Sequence, residues 1–418
     1  MGHNVSHYPP TPTDYPVFSL TIRTTDKIKI IDGNAAVLGI VRATLHKHYG
    51  EIKAETIGND SGTCFKLSGF PFTKLAGTDL SVKTLNFFTQ LMAELYRNGW
   101  KLWLNSDLSR MYDYSTLFFR TCPLPSTNFS VCCLSLSGYD KFQLINAPDT
   151  LYQALLECVG NLVQNQSDYV NCKEVKMYGY MWYNYSCEQS NIARRLLLNI
   201  FKSFRQLGFT YFGTVNLKGT ADSIFFINQR TSLEDYCVIS LNRNDRLRMI
   251  NCPQILIDMA NEVISTKWLG GLQNVKNDGD CVEYKMKGYP WHADGRSRCR
   301  KILGFSSPNP RRECEAWLAV LTSLDVSERR PIRAFSSCGV ARQCKFLISA
   351  SLPPLETRSA HRSRSGMRKT LIDLMQTCWT SGIQDESDSG VDYELKLKGS
   401  PWHSLGFVSP SPLLSLVS

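Results

Sequence analysis

The chain has 418 residues, of which 43% are hydrophobic and 11% aromatic, and its formal net charge is +10. A chain of this length and composition can bury several hydrophobic cores. No run of 18 apolar residues occurs, which argues against a transmembrane helix, and the N-terminus lacks the charged and apolar regions of a secretory signal. We therefore expect a cytoplasmic or nuclear protein, or one found in both compartments, and we do not expect it to bind membranes.

Cysteine usage agrees with an intracellular location. The chain holds 15 cysteines, an odd number, without a C-x-x-C pair. Most of them lie within apolar stretches, so we interpret them as reduced, buried thiols. The spacing typical of a zinc site is absent as well, and we expect no metal and no cofactor.

Residues 1–15, MGHNVSHYPPTPTDY, show no hydrophobic periodicity and are predicted to form a flexible tail. The first six residues fit the pattern M-G-x-x-x-[ST], which makes Gly2 a candidate for N-myristoylation. The alternative is a chance match, because the pattern is short, His3 is bulky and no polybasic run follows. A single acyl chain would give only marginal membrane binding.

One pattern of eight residues recurs along the chain: apolar, Lys, apolar, any residue, Gly, usually aromatic, usually Pro, aromatic. It reads FKLSGFPF, VKMYGYMW, YKMKGYPW and LKLKGSPW, with its glycines at Gly69, Gly179, Gly288 and Gly399. The spacings of these glycines are 110, 109 and 111 residues. Repeats of a solenoid are much shorter, and this period is the size of a small domain. The sequence therefore predicts tandem domains.

Each unit is predicted to begin with the strand of this pattern, which ends in a turn at the glycine. A helix follows, with Leu85, Phe88, Met92 and Leu95 on one face and a stop signal at Asn98-Gly99. The second copy of this helix places Ile192, Leu196, Phe201 and Phe204 on its apolar face and ends near Gly208.

Strands come next, including a hairpin from FSVCCLSL to DKFQLIN. A last helix begins after Pro148 in one copy and Pro253 in another, since proline is favoured at a helix start. The order is β-α-β-β-β-β-α, which indicates an α+β fold with a mostly antiparallel sheet covered by helices. The polar stretches 50–62, 163–172, 273–281 and 380–391 are predicted linkers.

These features divide the chain into units of about 110 residues. The predicted domains are a flexible tail at 1–15, the C-terminal half of a unit at 16–49, repeat unit 1 at 50–162, repeat unit 2 at 173–272, a degenerate or mis-framed unit 3 at 281–379, and the first strand of a truncated unit 4 at 392–418.

The positive charge is concentrated in residues 293–369, which hold 16 Lys and Arg against 6 Asp and Glu. Three interpretations stay open: a degenerate or mis-framed repeat, a solvated loop, or a patch that binds nucleic acid. Under the last interpretation the candidate contact residues are Arg296, Arg298, Arg300, Arg311, Arg312, Arg362 and Arg364.

Comparison of the copies argues against several catalytic readings. His292 and His403 correspond to Thr73 and Tyr183, and no general acid–base role is filled equally by His, Thr and Tyr. The polar stretch Asp107–Arg110 is likewise not maintained in the second copy. The recurring lysines either bind an acidic ligand or are solvent-facing strand residues, and they are Lys66, Lys176, Lys285 and Lys396.

The stretch YGYMWYNY is denser in aromatic residues than a core requires. Tyr and Trp are enriched in binding hot spots, so this stretch is a candidate partner-binding surface. Its residues are Tyr178, Tyr180, Trp182, Tyr183 and Tyr185. For Trp182 and its counterparts Phe72, Trp291 and Trp402, packing in the core is the alternative.

The K-x-x-G-x-P-W strand, the G-W turn at Gly99-Trp100 and the D-x-S-R stretch at Asp107–Arg110 resemble repeats of uncharacterised eukaryotic proteins. The resemblance implies no active-site residues. Our first hypothesis is a non-enzymatic scaffold for protein partners, because duplicated domains give repeated surfaces and avidity. The alternatives are a nucleic-acid-associated nuclear protein acting through residues 293–369 and an unrecognised enzyme. The oligomeric state stays open.

Overall fold

The computed structural model describes most of the N-terminal two thirds of the chain. It covers residues 16–288 except for 59–61, 74–75, 107–112, 126–127, 183–186, 218–221, 230–233, 244 and 269. Beyond residue 288 it describes four strands, at 317–323, 345–351, 383–388 and 393–397.

The first unit is a six-stranded antiparallel sheet with two helices. Its elements are β1 Val17–Arg23, β2 Lys27–Ile31, α1 Ala35–Thr44, β3 Ile52–Ile57, β4 Thr63–Leu67, α2 Thr78–Arg97, β5 Trp100–Ser106 and β6 Asp113–Thr121. A π-helical turn, Leu45–Tyr49, extends α1. The strand order is β3-β4-β2-β1-β6-β5, and all pairings are antiparallel.

The second unit repeats this topology. Its elements are β7 Val131–Ser137, β8 Lys141–Ile145, α3 Asp149–Val159, β9 Val163–Tyr169, β10 Cys172–Met177, α4 Cys187–Gln206, β11 Phe209–Val215 and β12 Ser223–Asn228. The sheet order, β9-β10-β8-β7-β12-β11, is equivalent to that of the first sheet.

The third sheet has the same order again, β15-β16-β14-β13-β18-β17. Its elements are β13 Glu234–Asn242, β14 Arg246–Ile250, α5 Gln254–Lys267, β15 Leu272–Asp278, β16 Cys281–Met286, β17 Trp317–Ser323 and β18 Lys345–Ser351. A separate hairpin joins β19 Ile383–Asp388 to β20 Tyr393–Leu397. The predicted tandem α+β architecture is confirmed. The basic segment 293–369 supplies two strands, β17 and β18, to the third sheet.

The hydrogen-bonded sheets place the unit boundaries differently from the sequence pattern. Strands on both sides of residue 50 belong to one sheet, so 16–49 and the following residues to 121 form one unit. The order within a unit is therefore β-β-α-β-β-α-β-β. A repeat period defines the length of a unit but not its starting point, which strand pairing determines.

The predicted linkers contain strands, which corrects the sequence analysis. β3, β9, β15 and β19 lie within or overlap the four polar stretches. In the three large sheets these strands are the outer edge, and after its first residue β3 is exposed along its whole length. An exposed edge strand has no buried face, so its sequence carries no alternation of apolar and polar residues.

The predicted helices agree closely with the structure. Leu85, Phe88, Met92 and Leu95 are all buried, and α2 ends in a C-cap at Asn98 followed by Gly99 at φ +79°. In α4, Leu196, Phe201 and Phe204 are buried as predicted. Ile192 differs, being 41% exposed, because the buried stripe of α4 includes Ala193 instead.

Each long helix is shared between two sheets. One side of α2 packs on the first sheet, and the other side contacts Val131, Cys133, Ile145 and Phe225 of the second sheet. In the same way α4 packs between the second sheet and Tyr236, Val238 and Ile250 of the third. The sheets and helices therefore alternate in layers. Burial on both faces explains why β7 reads as a nearly continuous apolar run.

Candidate interaction surface

The repeated glycine motif forms a turn that is fixed to the neighbouring hairpin. In the second unit, the backbone N–H of Met177 donates to Asp140 O and that of Trp182 to Tyr139 O, both at 2.8 Å. The first unit repeats these bonds, since the backbone N–H of Leu67 donates to Asp26 O and that of Phe72 to Thr25 O. Gly69, Gly179 and Gly288 adopt φ of +73° to +81°, a range that glycine reaches without strain. The motif is thus a structural element.

The last aromatic residue of the motif belongs to the core. Trp182 is 1% exposed, donates its indole N–H to Lys141 O at 3.0 Å and meets the Phe142 ring edge-on at 4.9 Å. Phe72, its counterpart, is fully buried beside Phe88. Trp182 is therefore part of the core and not of a contact surface, which corrects its assignment to the partner-binding set. Trp291 and Trp402 lie outside the described residues.

Three tyrosines at this turn are exposed together. Tyr139, Tyr178 and Tyr180 are 44%, 58% and 64% exposed. The rings of Tyr139 and Tyr180 meet edge-on with their centroids 6.0 Å apart. We call these three residues the tyrosine patch. Burial of Trp182 and the backbone bonds of the turn hold the patch on a fixed base.

Sequence reasoning found Tyr178 and Tyr180 but missed Tyr139. Tyr139 lies in the β7–β8 turn, 39 positions before Tyr178. An aromatic residue inside a predicted hairpin turn was the available signal, because such a turn is normally polar. The remaining residues of the partner-binding set, Tyr183 and Tyr185, lie outside the described residues.

A polar row recurs on one face of each sheet. In the second sheet the buried carboxylate of Glu174 accepts from Lys141 Nζ at 2.7 Å and from Gln143 Nε2 at 2.9 Å. The hydrogen bond to Glu174, together with its charge, outweighs the effect of burial and raises the pKa of Lys141.

In the third sheet Glu283 takes the place of Glu174. Arg248 donates to Glu283 at 2.5 Å, and Arg246 also donates to it. Burial by itself would raise the pKa of Glu283, but the hydrogen bonds and positive charges of Arg248 and Arg246 outweigh it and lower that pKa. In the first sheet the corresponding position is Cys64.

The cysteines whose side chains the structure describes are free thiols. Burial raises the pKa of Cys132 and of Cys172 to about 12, so both are protonated at neutral pH. A protonated, buried thiol is a poor nucleophile.

A cleft of about 550 Å³ lies between the start of α2 and the β9–β10 turn. Asp79, Lys83, Asn86, Asp168 and Asn171 supply its polar lining. No histidine, cysteine or serine lines it, so this lining offers no Ser–His or Cys–His pair. Within the described residues there is also no group of three or more His, Cys, Asp or Glu placed to hold a metal ion.

The other sequence candidates fall outside the described residues. They are Gly2, Asp107, Arg110, His292, His403 and the seven arginines of the basic segment, Arg296, Arg298, Arg300, Arg311, Arg312, Arg362 and Arg364.

Of the recurring lysines, Lys66 is exposed, while Lys176 and Lys285 are half-buried. These three lysines lie on β4, β10 and β16, the strands next to the edge strand of each sheet, and not on the edge strand itself. Among the described helices, none combines the length and apolar character needed to cross a membrane.

The fold and the motifs define a tandem α+β repeat protein. A single model of an uncharacterised domain family matches residues 16–120, 130–227, 235–303 and 360–409. The chain belongs to this family, and the family's domain is matched four times along it. The first two matched stretches coincide with the first and second sheets. No curated protein and no solved structure matches the chain.

Proposed function

We propose that this protein is a non-enzymatic scaffold that binds a protein partner through the tyrosine patch of its second unit. The observation that supports this proposal is the joint exposure of Tyr139, Tyr178 and Tyr180 on a turn whose backbone is fixed. Tyrosine has a large amphipathic ring with few rotatable bonds, so it loses little entropy on binding and is enriched in hot spots.

The tandem arrangement supports the same role. Layers of helices and sheets hold successive units in a fixed relation, so surfaces on different units are presented at set spacings. Surfaces presented together raise the effective concentration of the second contact, which strengthens the binding of an extended or multivalent partner.

The test compares partner capture by the full-length chain and by a triple variant, Tyr139→Ser with Tyr178→Ser and Tyr180→Ser. The matched control is Phe70→Ser, since Phe70 is the counterpart of Tyr180 in the first unit and is 62% exposed. Immobilised proteins are incubated with cell extract, and bound proteins are quantified by mass spectrometry.

We expect proteins that the wild type and the control retain and that the triple variant loses by about tenfold or more, the loss typical of removing hot-spot side chains. Circular dichroism checks that all three proteins are folded. Equal capture by the triple variant contradicts the role of the patch, and no enrichment over empty beads contradicts the scaffold role itself.

A further inference from the structure

The first helix of a unit has a side that faces the long helix of the same unit. In the second unit α3 packs on α4, and the thiol sulfur of Cys158 lies 3.3 Å from the hydroxyl oxygen of Ser203 in α4. Ala154, one turn earlier on this side of α3, is only 8% exposed. In the first unit α1 packs on α2 in the same way. A long helix therefore covers this side of both α1 and α3.

In the third unit the same side of the first helix is open to solvent. Both α3 and α5 have a proline N-cap, and Met259 follows its proline at the same distance as Ala154 does. Met259 is 41% exposed, and Ile255, one turn before it, is 43% exposed. Residues four apart lie on one face of a helix, so these two apolar side chains are neighbours. We call Ile255 and Met259 the α5 stripe.

The sheet that α5 packs on is also less covered than its equivalent in the second unit. Leu134 and Leu136 of β7 are buried beneath α3 and α4. Their counterparts in the same register of β13, Ile239 and Leu241, are half-buried. Between β16 and β17, where the first two units place α2 and α4, no helix lies among the residues that the structure describes. The α5 stripe and these strand residues therefore form a partly open apolar surface.

The stretch of this chain that aligns with α4 is a poor helix former. α4 spans Cys187–Gln206, and residues 296–315 follow it by one repeat period of 109 residues. This stretch contains Pro308 and Pro310. Proline in a helix interior removes a hydrogen bond and clashes with the preceding turn. The comparison therefore favours a helix supplied by another molecule.

Two carboxylates border the α5 stripe. Asp258 follows Ile255 by three residues, and Glu262 follows Met259 in the same way, so each carboxylate lies beside an apolar member of the stripe. Both acidic residues are exposed. Opposite charges at the rim of an interface favour association and fix its orientation. The surface therefore fits a helix whose apolar face is bordered by basic residues.

We propose that the α5 stripe and the adjoining part of the third sheet bind a basic amphipathic helix of a partner protein. The helix lies where α4 lies in the second unit, so that it buries Ile255 and Met259 and brings its basic residues to Asp258 and Glu262. An amphipathic helix in an apolar groove is a recurring mode of recognition. This surface is distinct from the tyrosine patch, which belongs to the second unit.

The probe is a synthetic peptide with the sequence of α4, which has four basic residues and one acidic residue. Its single cysteine, Cys187, carries a fluorophore. In the control peptide Leu197, Phe201 and Phe204 are replaced by serine, because these side chains belong to the buried apolar face of α4. Binding to the full-length chain is measured by fluorescence anisotropy.

The decisive variant of the protein is Met259→Lys, which places a charge within the α5 stripe. Its matched control is Ser265→Lys, which adds the same charge at an exposed position of α5 away from the stripe. We expect the wild type and Ser265→Lys to bind the α4 peptide equally. Met259→Lys should bind it about tenfold more weakly or less, because the new ammonium would be desolvated against an apolar face and would repel the basic helix. The control peptide should not bind, and circular dichroism checks the folding of each variant.

No binding of the α4 peptide to the wild type, or equal binding by Met259→Lys, overturns the proposal. Analytical ultracentrifugation examines a second occupant: a wild-type dimer that Met259→Lys dissociates would assign the stripe to a second copy of the chain and overturn the proposal. A much lower melting temperature for Met259→Lys than for Ser265→Lys, without peptide binding, would assign it to a segment of the same chain, with the same consequence. The triple tyrosine variant should bind the peptide as the wild type does, so this inference and the tyrosine patch are tested separately.

Discussion

The two joints between units use the same topology but different chemistry. Where α2 meets the second sheet, apolar contacts that include Val131 and Phe225 are joined by hydrogen bonds between uncharged side chains, such as Asn146 to Asn86 at 2.6 Å. Where α4 meets the third sheet, apolar contacts are supplemented by hydrogen bonds from charged side chains. Arg248 donates to Asn191 at 3.0 Å, and Arg194 donates to Asn242 at 2.6 Å.

The difference shows that this architecture tolerates two ways of joining its layers. Apolar burial is non-directional and depends little on salt or pH. A buried polar network stabilises only when its members are all satisfied, because removing one partner leaves another charge buried and unpaired. The stability of the first joint should therefore depend mainly on the volume of its buried side chains. The stability of the second joint should depend also on their charge.

The largest expected effect is the loss of a buried ring at the apolar joint. Phe225 is fully buried in the cluster that joins α2 to the second sheet. Phe225→Ala should lower the free energy of unfolding by about 3–5 kcal/mol, since it removes apolar contacts and leaves a cavity. Urea unfolding followed by circular dichroism measures this loss, and Ile57→Ala, at a site 78% exposed, is the control. A loss no larger than that of the control would contradict the shared-helix joint.

The next effect concerns the polar joint. Glu283→Gln should cost about 3 kcal/mol, because Arg248, whose side chain is 2% exposed, loses its charged partner. The double variant Glu283→Leu with Arg248→Met should be less destabilised than Glu283→Gln, since it removes both charges together. Urea unfolding again provides the measurement. A double variant that is clearly less stable than the single one would show that the ion pair itself stabilises the joint.

The smallest effect is the response of the polar joint to pH. The pKa of Glu283 is lower in the folded protein than its usual value of 4.5. Its contribution to stability is therefore complete above the unfolded-state pKa and is lost as pH falls through the folded-state pKa. Between pH 7 and pH 3 the wild type should lose more stability than Glu283→Gln does. Parallel loss in both proteins would show that other carboxyl groups account for the acid response.

The sequence by itself determined the repeat length, the α+β class and the position of the long helices. The glycine motif recurs at a constant period, and the apolar positions of α2 follow the helical period to a stop at Asn98-Gly99. These are local signals, which depend on the conformation of neighbouring residues along the chain. For the same reason the β7–β8 hairpin and the start of α3 after Pro148 could be predicted.

The tertiary structure decided where a unit begins, which strands form its edges and what each face meets. Strand pairing between distant residues sets the boundary near residue 16, and edge strands such as β3 have no buried face to mark them. Trp182 and Tyr180 are two residues apart in one aromatic stretch, yet one is in the core and the other is exposed. Only the packing of the turn against the β7–β8 hairpin separates them, because burial depends on contacts with residues far away in the sequence.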